Sequence, residues 1–109
     1  MATKLKDKIV NILGENYTIG FSTEKDDPEL KNLSGYCLPT RKKIVIDKDT
    51  KDPDVTRKWV IRHEIVHAFL YESGLDKEAP WADAEEQLVD WIALQLPKMV
   101  KAMQEADAL

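Results

Sequence analysis

The chain has 109 residues, 43% of them hydrophobic and 33% charged, with a formal net charge of −4. That size supports a single domain over residues 1–109 with one modest core, and the negative charge argues against a nucleic-acid partner, which needs a basic surface. No run approaches the ~18 apolar residues of a membrane span, no signal-peptide pattern opens the chain, and one cysteine, Cys37, allows no internal disulfide, so a cytoplasmic protein is expected.

Residues 3–13 place Leu5, Ile9, Ile12 and Leu13 at helical spacing among lysines and aspartate, which predicts an amphipathic helix closed by Gly14. "YTIGF" (17–21) alternates and is rich in β-formers, the pattern of a strand. The polar stretch 22–34 carries a proline and reads as a loop with one short helical turn. "GYCL" (35–38) and residues 43–47 read as two further strands, and "PTR" between them suggests a hairpin connection. Pro53 suits the first turn of a helix with Asp52 as its N-cap, and Gly74 suits its C-cap. After a connection over 75–83, a second helix is expected from about 82 to 96, and Pro97 either kinks it or starts another helix through 106. The predicted fold is α+β: an N-terminal helix, a small three-stranded sheet, then two or three helices.

The only two histidines of the chain, His63 and His67, fall inside the helical run "WVIRHEIVHAFLYESG". That helix is apolar nearly all round and should lie centrally in the fold, with Ile65 and Phe69 anchoring the side away from the histidines. The i, i+4 spacing stacks both imidazoles on one side, one turn apart, so that both can reach one ion at about 2.0–2.1 Å. Glu64 projects about 100° from His63, beside such an ion, where a carboxylate can take a proton from water; this is the logic of H-E-x-x-H. The ordinary alternative is a buried histidine pair held by side-chain or carbonyl hydrogen bonds.

A catalytic zinc needs a third protein ligand. No third histidine exists, and positions 70 and 73 are Leu and Ser, so the longer H-E-x-x-H-x-x-G-x-x-H pattern fails. A carboxylate or Cys37 must serve, although a lone cysteine is more often a small buried strand residue. Glu86 follows His67 after an eighteen-residue spacer, and Asp90 lies one turn further on, where it can accept from the free nitrogen of a ligand histidine. Glu85 competes, because it lies nearer the centre of the stripe Leu88, Val89, Ile92 and Leu96, but its own i+4 neighbour is Val89. Adjacent acids in a first helical turn also have an ordinary reading, interaction with the helix dipole. Ala93 is small enough for the two helices to approach closely.

The combined pattern H-E-x-x-H-x18-E with E-x-x-x-D resembles the gluzincin metallopeptidases, in particular the minimal type (minigluzincins) of phage and mobile-element proteins, and is similar to the ImmA/IrrE class. The resemblance covers about residues 43–97. It implies a hydrolase with Zn2+ held by His63, His67 and Glu86, Asp90 behind a ligand histidine, Glu64 as general base, and a peptide or protein substrate. Tyr36 and Tyr71 are its candidates for contact with the oxyanion or the substrate, and each has an ordinary reading as a packed aromatic. The edge of "SGYCL" could take an extended peptide by strand addition. Two rivals stand beside this reading: a catalytically silent zinc-binding interaction module of phage or mobile-element origin, and a metal-free helical packing domain. Trp59, Trp81 and Trp91 read as packing residues, with Trp91 over the outside of the metal site. Met99, Val100 and Met103 share one side of the C-terminal run, expected to pack back on the core or to meet a partner; the oligomeric state stays open.

Overall fold

The computed structural model describes residues 5–49, 53–75 and 84–109, with the side chains of the second segment described from residue 56 onward. Lys8–Ile12 (β1) and Glu15–Ser22 (β2) form an antiparallel hairpin. Leu13 and Gly14, at φ 51° and 93°, make its two-residue turn. Positive φ at both central positions is the I′ geometry whose twist matches that of the flanking strands. Asn11 Oδ1 accepts from the Gly14 N–H at 3.0 Å.

The expected N-terminal helix is therefore wrong. Val10 and Ile12 face the core at period two, while Ile9, which a helical stripe would bury, is 71% exposed. Three β-branched residues beside a tight turn favour the ladder with β2 over a helix that would have to pack on its own.

Gly35–Leu38 (β3) and Lys43–Asp47 (β4) form the second hairpin, joined by a short 3-10 turn over Pro39–Arg41 and Lys42 at φ 52°. The sheet has four strands in the order β1-β2-β4-β3, with β4 parallel to β2, in place of the expected three. In the register, Ile44 lies between Ile19 and Cys37, and Ile46 between Phe21 and Gly35. These residues share one face with Val10, Ile12 and Tyr17, and that face carries the core. Each fully buried isoleucine there contributes about 1.5–3 kcal/mol of burial free energy. The loop between β2 and β3 holds the predicted short turn, Pro28–Leu30, capped by Asp27, whose side chain accepts from the Glu29 N–H at 3.1 Å.

Helix α1 (Pro53–Glu72) packs on β1, β3 and β4 with one side and on α2 (Glu85–Glu105) with another. This central place explains its lack of a polar face. It ends at Gly74 in a Schellman turn, with Gly74 N–H bonded to Tyr71 O and Leu75 N–H to Leu70 O, both at 3.0 Å. Ile65 packs against the core as expected, but Phe69 is 40% exposed, and fully buried Ala68 takes its place.

Pro97 lies inside α2 and begins no separate C-terminal helix. A proline is costly in a helix because it leaves the carbonyl four residues back without a donor. Here Arg62 Nε donates to that carbonyl, Ala93 O, at 2.7 Å. Beyond Pro97, Met99 and Val100 are half-buried while Met103 is exposed. Asp52, Trp81 and nearly all of the connection over 75–83 lie outside the described residues. No helix among the described residues is long and apolar enough to cross a membrane.

Candidate metal centre

His63 and His67 sit one turn apart on α1, and their Nε2 atoms are 3.2 Å apart. Glu86, in the first turn of α2, places Oε1 at 2.6 Å from His67 Nε2 and Oε2 at 3.4 Å from His63 Nε2. One ligand atom from each of the three residues lies within 4.8 Å of the others. Ligands at about 2.0–2.2 Å from a tetrahedral ion are separated from one another by roughly 3.2–3.6 Å. The 3.2 and 3.4 Å separations fall in that range, and the 2.6 Å contact is shorter. Two imidazoles and one carboxylate are also the donor set of a catalytic zinc that keeps one open position. The three residues could hold a metal ion.

A second ring of carboxylates stands behind the imidazoles. Asp90 Oδ1 is 2.8 Å from His63 Nδ1, and Glu85 Oε2 is 3.2 Å from His67 Nδ1. The buried His63 Nδ1 has no hydrogen-bond partner among the described residues, despite its short distance to Asp90. The competition between Glu85 and Glu86 thus has a geometric outcome. Adjacent helix positions diverge by about 100°, so Glu86 joins the two Nε2 atoms while Glu85 reaches past them to the far side of His67.

Glu64 is buried, with 6% of its surface exposed, and its Oε2 lies 4.0 Å from His63 Nε2. Burial pushes its carboxyl up to about 7, His67 opposes the shift, and Glu86 adds to it. Among the described residues its carboxylate has no hydrogen-bond partner. Trp59 packs beside His63 with ring centroids 5.4 Å apart, and Trp91 is 55% exposed.

A cleft of about 530 Å³ opens on this group, bordered by β3, Trp59 and Tyr71. Strand alternation divides the β3 residues. Cys37 faces α1 and packs against the core; burial, then Glu64 and Glu72, push its thiol up to about 12, and it lies outside the donor group. Tyr36 points to the opposite face, where its hydroxyl donates to Asp27 Oδ2 at 2.5 Å. Burial and that bond push it up to about 12. Of the two tyrosines, Tyr71 is the one whose hydroxyl is not tied elsewhere among the described residues; the Lys42 ammonium lies 5.5 Å from its ring centroid.

Sequence reasoning missed the link that holds the end of α1. Glu72 Oε2 accepts from Lys42 Nζ at 2.6 Å and from the Tyr17 hydroxyl at 2.5 Å. The three residues are far apart in sequence, and no local pattern marks them. Arg62 was missed likewise, although a proline inside a helical pattern signals a carbonyl in need of a donor. No family model, no curated protein and no solved structure matches this chain.

Proposed function

We propose that this protein is a zinc-dependent peptidase of the minimal gluzincin type. The observation that carries the reading is the convergence of His63 Nε2, His67 Nε2 and a Glu86 carboxylate oxygen within 4.8 Å, on a cleft and beside the buried Glu64 carboxylate, which has no hydrogen-bond partner among the described residues. Zinc held by His63, His67 and Glu86 would supply Lewis acidity to a scissile carbonyl and to water.

The residues of the chain do the rest. Asp90 and Glu85 stand behind the two imidazoles, next to their Nδ1 atoms, on the side away from the point the Nε2 atoms share. Glu64 takes a proton from the attacking water at a carboxylate oxygen and passes it to the leaving amine. Tyr71 borders the cleft and can donate to the developing oxyanion. The free edge of β3 offers main-chain groups to an extended peptide, which would run past His63.

Metal content and hydrolysis test the reading together. The purified chain should hold one zinc per molecule, and Glu64→Gln should keep the ion and lose cleavage of a broad peptide library. A chain that takes up no ion under zinc supplementation refutes the metal centre. Stoichiometric zinc with no cleavage by the wild type replaces the peptidase with a zinc-binding interaction module.

A further inference from the structure

Pro97 leaves the carbonyl of Ala93 without its helical donor. Ala93 is fully buried, so water cannot take the place of that donor, and an unpaired buried carbonyl is disfavoured. Arg62 Nε fills the position at 2.7 Å. Outside the histidine cluster this is the only hydrogen bond between α1 and α2 among the described residues. Both of its ends adjoin the metal centre. Arg62 immediately precedes His63 on α1. Ala93 lies one turn beyond Asp90 and two turns beyond Glu86 on α2.

We infer that Arg62 is a positioning residue for the metal centre, holding α2 in register against α1 through the carbonyl that Pro97 vacates. The role rests on the metal-centre reading above. The apolar contacts of Val89 and Ala93 are non-directional and tolerate small slides. A hydrogen bond to a carbonyl holds its distance within a few tenths of an ångström. One residue of slip along a helix moves a side chain by about 1.5 Å, against a tolerance of about 0.2 Å for a metal ligand. Without Arg62, α2 must shift or bend to bring the Ala93 carbonyl to water, and Glu86 and Asp90 move with it. Pro97 thereby creates the acceptor that ties the second helix to the residue next to His63.

The test is a double-mutant cycle on the full chain, read by zinc affinity in competition with a chromophoric chelator. Pro97→Ala restores an N–H that pairs Ala93 within α2. Arg62→Met should weaken zinc binding about tenfold in the Pro97 chain, and by no more than about twofold when Pro97→Ala is present. Arg62→Lys, which keeps a donor, should recover most of the loss. An unchanged affinity with a lowered melting temperature would make Arg62 structural only and overturn the role. Equal losses in both backgrounds would show that Arg62 does not act through the carbonyl. Amide exchange over residues 85–93 of the metal-free protein separates this inference from the metal reading. Faster exchange in Arg62→Met, suppressed by Pro97→Ala, shows the link between the helices even if the wild type takes up no zinc. In that case the metal centre fails, the positioning role fails with it, and the link stands as packing alone.

Discussion

At the scale of single residues, the site depends on the divergence of neighbours on a helix. Glu85 and Glu86 are chemically alike and adjacent, yet one stands behind His67 and the other completes the group of donors. Asp90→Ala and Glu85→Ala should each weaken zinc binding by about ten- to a hundredfold, Glu86→Ala by more, and Cys37→Ser not at all; competition with a chelator measures all four. The part of this arrangement confined to one helix was legible in the sequence, because i, i+4 geometry is local. The choice between Tyr36 and Tyr71 was not. It depends on which sheet face Tyr36 takes, and in β3 that follows from Gly35 and Cys37 lying against α1.

At the scale of elements, β3 borders the cleft that opens on the histidines. It is an edge strand, and Gly35 lets it approach α1 closely. A Cβ at position 35 would lie 2.9 Å from the Val45 carbonyl oxygen and 3.0 Å from Val60 Cγ1. Gly35→Ala should destabilise the fold by about 1–3 kcal/mol through overpacking, a loss visible in urea unfolding. The Asp47 N–H bonds the Ser34 carbonyl, so the alternation of an antiparallel ladder turns the Cys37 N–H outward, away from β4. Cys37→Pro should therefore leave zinc content intact and abolish peptide cleavage; retained cleavage would exclude pairing along this edge. The sequence showed β3 and β4 correctly but misjudged β1. There helical and strand periodicities overlap over few residues, and pairing with β2 settled the matter.

At the scale of the whole molecule, α1 is the middle layer between the sheet and α2, and its far end is held by polar contacts. Lys42 and Tyr17 both donate to Glu72. Lys42 first, and Tyr17 after it, hold the Glu72 carboxyl below its ordinary range. A carboxyl lowered by folding stabilises the native state fully above its unfolded value, and that contribution is lost as pH falls through the folded value. Unfolding free energy should therefore fall as the pH drops below about 4–4.5. Glu72→Gln should flatten this part of the stability curve measured by urea titration. An unchanged slope would show that Glu72 is not the group responsible.

By itself, the sequence determined the α+β class, most strand and helix spans, and the pairing of two imidazoles with Glu64. These follow from periodicity and from contacts within one turn, which the local chain dictates. Only the tertiary structure decided that β1 is a strand, that the sheet has four members, and that Glu86 converges on the histidines while Glu85 stands behind one of them. It also revealed the hold of Lys42 and Tyr17 on Glu72, and that of Arg62 on the carbonyl left open by Pro97. Apart from the β1–β2 hairpin, which is local, these join residues distant along the chain, and such contacts are set by how the layers pack, which no local pattern encodes.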